Sequence, residues 1–311
     1  MILVTGGMGF IGSHVTRALL DSGEHCVITT HSASTVPEFL KADVGTNLFV
    51  EPLDMADAQQ WHDLGRRHRV TGIVHLASAG IDVDPMAQLR QNLSGLLNLL
   101  DVAATWNVDR VVLASTIGVY AGAAQAIAYR EDVPLPMVGL HGIQASKKAA
   151  EIMGDLANRS RSGAVVSLRL PAVWGPRGNP DSRFFALGRL VHAAVRGEVA
   201  RAIGGEAIDL LYVKDCARAV ASVVASDRLR HTVYNIGSGR ATSNVEVVEA
   251  IRRVVPTADV AIDLTQPPAS SVPASYLDVS RLGGDTDYEP AYALDGGIRD
   301  YVDWLRAGHD R

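Results

Sequence analysis

Short apolar runs recur along the chain, and patterns with one polar face separate them. The runs are Ile2–Val4, Cys26–Thr29, Ile73–His75, Val111–Ala114, Val165–Leu168 and Val233–Ile236. They are continuous rather than alternating, as strands buried on both faces of a parallel sheet are. Between them, Leu89, Leu93, Leu96, Leu97, Leu100 and Ala104 recur at helical spacing, and so do Ala145, Ala149, Ile152, Met153 and Leu156. Strand and helix patterns in alternation predict βαβ units with right-handed crossovers, and hence an α/β fold with a doubly wound parallel sheet. The pattern loosens after Leu170. Pro171, Gly175, Pro176, Gly178 and Pro180 mark a loop, and a helical pattern with Phe184, Leu187, Leu190, Val191 and Val195 follows. Pro267, Pro268 and Pro273 mark a second irregular stretch, and a last helix from Ile298 to Leu305 carries Tyr301, Val302 and Trp304.

Composition narrows the function classes. The chain has 311 residues, 29 Lys+Arg against 34 Asp+Glu, a formal net charge of −5 and 47% hydrophobic residues. That length allows one large domain or two smaller ones. Mild acidity and 5% aromatics argue against a nucleic-acid partner, which calls for basic excess and stacking platforms. No apolar run reaches the ~20 residues that span a bilayer, so no membrane partner is expected, and no signal segment is visible. The only two cysteines, Cys26 and Cys216, can build neither a disulfide framework nor a metal cluster, which points to a reducing cytoplasm. Asp54, Asp57, His62 and Asp63 are close in sequence, but a surface helix explains them and no metal is expected.

Chemistry enters with Thr5-Gly6-Gly7-Met8-Gly9-Phe10-Ile11-Gly12, which follows the first apolar run and precedes a helical pattern at Val15, Ala18 and Leu19. Gly6, Gly9 and Gly12 have the G-x-x-G-x-x-G spacing of a phosphate-binding turn. Such glycines allow a tight turn, close backbone approach to a pyrophosphate and close helix–strand packing, while the helix N-terminus offers N–H groups.

This segment resembles the signature of the extended short-chain dehydrogenase/reductase family, the group of nucleotide-sugar epimerases and dehydratases. The resemblance continues in order over nearly the whole chain. Asp54 resembles the family acid that contacts adenine, and His75-Leu76-Ala77-Ser78-Ala79 its H-L-A-A segment. Asn92 falls where the family places a structural Asn. Ser115-Thr116-Ile117-Gly118-Val119-Tyr120 resembles S-S-x-x-V-Y-G, Ser146-Lys147 through Glu151 resembles S-K-x-x-x-E, and Arg169-Leu170-Pro171-Ala172-Val173-Trp174-Gly175-Pro176-Arg177 resembles R-x-x-x-V-Y-G-P-R. Tyr234-Asn235-Ile236-Gly237-Ser238-Gly239 closes the series. The resemblance implies a Rossmann-type dinucleotide-binding domain over 1–170, with 209–236 returning to it, and a smaller substrate-binding portion over 171–208 and 237–311. It implies a cofactor site of Gly6, Gly9, Phe10, Ile11, Gly12, Thr30, His31, Ser32, Asp54, Met55, Leu76, Ala77, Ser78, Lys147, Pro171 and Val173. Thr116 would polarise the substrate oxygen, Lys147 would hold the nicotinamide ribose, and His14 would be structural. It also implies a homodimer built on the Leu89–Ala104 and Ala145–Leu156 helices.

The chain departs from the family in three places. The family's catalytic Tyr sits four residues before the Lys, and here that position is Ile143, which cannot exchange a proton. His141, or a water held by Thr116, is the expected substitute, with Tyr129 and Tyr120 as further candidates. An acid at the end of the second strand would select NAD, but the chain there reads Thr29-Thr30-His31-Ser32-Ala33-Ser34, which points to NADP over NAD. Two family arginines that clamp a substrate diphosphate are missing: Ile208 precedes Asp209, and Pro268-Ala269-Ser270-Ser271 has none. Arg177, Arg183, Arg201 and Lys214 are the cations left to compensate. The sequence therefore predicts an NAD(P)-dependent oxidoreductase or epimerase/dehydratase acting on a small molecule other than a typical nucleotide sugar. Its rival is a redox-inactive NAD(P)-binding sensor.

Overall fold

Seven strands form one parallel sheet: β1 (Ile2–Thr5), β2 (Cys26–Thr30), β3 (Leu48–Pro52), β4 (Gly72–His75), β5 (Arg110–Thr116), β6 (Ala164–Leu170) and β7 (Val233–Asn235). Their order is β7-β6-β5-β4-β1-β2-β3, and every neighbouring pair is parallel. The computed structural model describes residues 1–31, 35–80, 84–124, 126–160, 163–263, 265 and 274–309. Ser32, Ser34 and the stretch with Pro267, Pro268 and Pro273 lie outside the described residues.

Successive side chains of a strand point to opposite faces, and this sheet is covered on both. Leu3, Val27, Ile73, Val111 and Val165 enter one core with Trp61, Leu96 and Leu99. Val4, Ile28, Val74, Val112 and Val166 enter the other with Val15, Leu19, Cys216 and Val220. Helix α1 (Phe10–Asp21) therefore shares the second face with α6 (Val213–Ala225). The first face carries α2 (Ala58–Arg67), α3 (Pro85–Thr105) and α4 (Gly142–Asn158).

A third core joins α5 (Leu187–Arg196), α7 (Asn244–Val254) and α9 (Leu294–Arg306) through Leu190, Val191, Val247, Ile251, Ile298 and Tyr301. Phe184, expected within the α5 pattern, lies outside that helix and is 64% exposed. The short pair Ala172–Trp174 and Leu210–Tyr212 leads from the sheet toward this portion. Helix α8 (Ser280–Asp285) closes against β7. Strand order reverses between β1 and β4. Open α/β sheets bind ligands in the crevice at such a point, beyond the carboxyl ends of the strands. Among the described residues no helix is long and apolar enough to cross a membrane.

Candidate functional site

The glycine turn occupies this crevice. Gly6 has φ +72°, and a Cβ there would lie 2.8 Å from Ala77 N, so β4's following segment sits directly against the turn. A Cβ on Gly12 would lie 2.1 Å from Gly6 O, which is why helix α1 can start so close to β1. Gly9 is the N-cap of α1 and no side chain caps the helix, nor is any acid in its first turn. The first amides of a helix have no intrahelical acceptor, so Phe10 and Ile11 present N–H groups and the positive helix end to whatever lies over the turn. A dinucleotide pyrophosphate fits this cradle.

Beside the turn lies a cleft of about 440 Å³. Five expected cofactor residues line it: His31, Asp54, Met55, Ala77 and Ser78. Asp54 Oδ1 accepts from Ala56 N at 2.9 Å, and Thr30 O accepts from Leu53 N at 3.0 Å, so the β2 and β3 ends are tied together here. Leu76 N donates to Thr5 O at 3.1 Å. Asn92 Oδ1 accepts from Ala79 N at 2.8 Å, fixing the segment after β4. His75, Gln91 and Gly95 also line the cleft. His75 Nδ1 lies 2.7 Å from Thr5 Oγ1, and burial, with Lys147 nearby, holds its pKa down to about 3. It is a neutral, structural imidazole.

The sequence reading missed Gln91 and Gly95. A Cβ on Gly95 would lie 2.9 Å from Met55 Cβ, so this glycine lets α3 form the cleft floor. The available signal was a glycine inside a helix, which costs about 1 kcal/mol relative to alanine.

Thr116 ends β5 in register with Leu170 at the end of β6, so Pro171 follows immediately alongside, and Val173 is buried in the next short strand. Thr116 Oγ1 accepts from Gly118 N at 3.2 Å, leaving its hydroxyl proton free to donate. Lys147 has no hydrogen-bond or carboxylate partner among the described residues, and desolvation pushes its pKa down to about 8. Ile143 lies one helical turn before it in α4. His141 is the N-cap of α4: it is exposed, and Nδ1 accepts from Gln144 N at 3.4 Å. Gln144, a third residue the sequence reading missed, packs its side chain against Gly118.

Tyr120 is fully committed elsewhere. Its hydroxyl meets Arg169 Nη1 at 2.7 Å and Asn235 Oδ1 at 2.9 Å, and burial raises its pKa. Tyr129 is buried and stacked on Tyr120 at 4.8 Å. Arg169 pairs with Glu151 at 2.7 Å, with side chains 4% and 8% exposed. Removing one partner of such a buried pair typically costs about 3–5 kcal/mol, so Glu151 anchors α4 rather than acting on a ligand.

Asp209 is buried and accepts from Ser238 N at 2.8 Å and Leu277 N at 3.1 Å. Ile208 before it is half-buried against the third core. His14 is structural in geometry: Nε2 meets Pro176 O at 3.1 Å, the ring stacks on Phe39 at 5.2 Å, and burial pushes its pKa down to about 4. Asp57 caps α2 by accepting from Gln59 N and Gln60 N.

The comparisons agree with this geometry. A family model described as "NAD dependent epimerase/dehydratase family" matches residues 2–237. A UDP-glucuronate 4-epimerase of Thermodesulfobacterium geofontis is 25% identical over 98% of this chain and 95% of its own length. The crystal structure of UDP-glucose 4-epimerase from Thermus thermophilus, a complex with NAD, superposes with a TM-score of 0.82 at 27% identity over 98% of each chain. A UDP-N-acetylglucosamine 4-epimerase from Methanobrevibacter ruminantium, in complex with UDP-N-acetylmuramic acid, gives a TM-score of 0.85 at 25% identity over 99% of this chain and 98% of that one.

Proposed function

The chain belongs to the NAD dependent epimerase/dehydratase family, and from that premise we propose that it transfers hydride at a carbonyl or hydroxyl carbon with a non-standard acid/base. One observation carries the reading: the open N-terminus of α1, the cleft of His31 and Asp54, and Thr116 with Lys147 all lie at the carboxyl end of one sheet. The dinucleotide supplies the hydride acceptor and donor. The chain's own residues bind and orient. Phe10 and Ile11 amides hold the pyrophosphate, Asp54 and Met55 flank the adenine, and Lys147 bonds the ribose hydroxyls. Thr116 donates to the substrate oxygen. Residues 1–170 and 209–236 hold the cofactor, and 171–208 with 237–311 hold the substrate.

The proton moves through His141 or through a water on Thr116. His141→Ala tests the first: a tenfold or greater turnover loss with a changed pH profile assigns the proton to His141, and an unchanged pH profile and turnover rule His141 out.

Thr30 and His31 stand where an acid would repel a 2′-phosphate, which supports NADP as the tighter cofactor; tighter NAD by calorimetry overturns that part. The named relatives carry UDP-sugar names, whereas Ile208 places an apolar residue where such enzymes hold a diphosphate-clamping Arg. The substrate is therefore read as other than a typical nucleotide sugar, and turnover of UDP-glucose or UDP-glucuronate overturns this. Cys26 and Cys216 are free and buried, with thiols pushed up to about 12 by burial, which suits a reducing cytoplasm. A homodimer completes the reading.

The test is binding first and redox second. Calorimetry should show NAD(P) binding, and a carbonyl or hydroxyl substrate should be converted, with a net change in reduced-nicotinamide absorbance for a net redox reaction and without one for epimerisation or dehydration. No binding of either dinucleotide ends the proposal. Binding with neither a redox change nor conversion of any substrate across the panel favours the second reading, a redox-inactive sensor, which Ile143 supports.

A further inference from the structure

The cations left to balance a diphosphate are not equivalent. Arg201 pairs with Asp259 at 3.0 Å and Lys214 with Asp300 at 2.7 Å. Arg177 has no carboxylate partner among the described residues. Its Nη2 donates to Met8 O of the glycine turn at 3.0 Å, and its Nε is buried without a hydrogen-bond partner. Its backbone is left-handed, with φ +69°, one of two such non-glycine residues described. Strain of this kind persists only where the surroundings hold it, and it clusters at functional sites.

The surroundings are visible. The segment after Trp174 lies across the glycine turn and α1. Pro176 O meets His14 Nε2 at 3.1 Å, and Gly178 lies against the Phe10 ring, where a Cβ would be 3.2 Å from Cζ. Burial lowers the Arg177 pKa, and no carboxylate among the described residues offsets that burial.

We propose that Arg177 is a diphosphate contact, carried by the second portion of the chain to the mouth of the glycine turn, where its unused guanidinium donors complete the cradle begun by the Phe10 and Ile11 amides. This rests on the dinucleotide reading above. A guanidinium presents five donors in a planar fork suited to phosphate, and only one is used on Met8. Diphosphate reaches this region from two sources, the dinucleotide or a nucleoside-diphosphate substrate, and the bond to Met8 favours the first.

Calorimetry of wild type, Arg177→Gln and Arg177→Gly separates the cases, with ADP-ribose, adenosine and UDP as probes. Glycine accepts the left-handed backbone freely, so that variant removes the charge without leaving strain. Both variants should bind ADP-ribose 10- to 100-fold more weakly, with adenosine and UDP affinities within twofold of wild type. ADP-ribose affinity unchanged in both variants overturns the proposal while leaving the dinucleotide reading intact. An equal loss for adenosine also overturns it, as local damage. A loss for UDP alone reassigns the contact to substrate and overturns the dinucleotide assignment. Wild type that binds no ADP-ribose sinks both.

Discussion

Ile143 and Lys147 stand one helical turn apart on α4, and only the second carries chemistry. If the lost phenol limits turnover, Ile143→Tyr returns a proton donor beside a cation. General acid–base catalysis contributes typically 10²–10⁴-fold, so turnover should rise at least tenfold at neutral pH; steady-state rates that stay level or fall would show that this site uses another proton path. His14 gives a second residue-scale expectation. Its folded pKa of about 4 lies below the ordinary 6.5, so the folded state binds fewer protons. The associated stability is complete above pH 6.5 and is lost as pH falls toward 4. Between pH 7 and pH 5 this amounts to roughly 2 kcal/mol, and urea titrations of His14→Gln should show a slope shallower by that amount. The residues legible in sequence were those fixed by local motif, such as Gly6, Gly12 and Thr116. Gln91, Gly95 and Gln144 were not, because each reaches the site only through helix packing, which no linear spacing encodes.

At the level of elements, continuous apolar runs identified the strands buried on both faces of the sheet, because burial on two faces removes the need for polar alternation. Strand β3 escaped for the converse reason. It is one edge of the sheet, only Leu48 is fully buried in it, and its Glu51 pairs with Arg67 and His68, each at 2.7 Å. The start of α5 was misplaced because Phe184 fits the helical period yet lies before the helix, which begins at Leu187. Helix α3 offers a test of how packing overrides propensity. Gly95→Ala gains about 0.8–1 kcal/mol of helix propensity. The new methyl would sit 2.9 Å from Met55 Cβ, an atom close to the backbone that cannot swing away. Overpacking of this kind costs about 1–3 kcal/mol, so the clash should win. The thermal midpoint should fall and adenosine affinity with it, since Met55 lines the cleft; a raised midpoint with unchanged affinity would mean that the loop yields freely.

For the whole molecule, the question is what covers the outer face of α3 and α4. These helices pack on each other and on the sheet, yet Met86 and Leu97 on α3 and Ile152 and Leu156 on α4 are each more than half exposed. Residues 86 and 97 are three turns apart and 152 and 156 one turn apart, so each pair shares a helix face. Single exposed apolar residues are ordinary, but four on two adjacent helices suit the homodimer proposed above. A two-fold arrangement would set the same patch against itself, forming a four-helix layer on the face of the sheet away from α1 and α6. Both the homodimer and the dinucleotide site can then be complete at once, because the crevice between β1 and β4 opens at the strand ends rather than on this face. Light scattering at micromolar concentration should give twice the 33.1 kDa chain mass. Leu156→Glu places a charge at the seam without touching the cleft, so it should shift the particle to monomer while ADP-ribose binding holds within twofold. A wild-type monomer refutes the dimer. A Leu156→Glu dimer moves the interface elsewhere on the molecule.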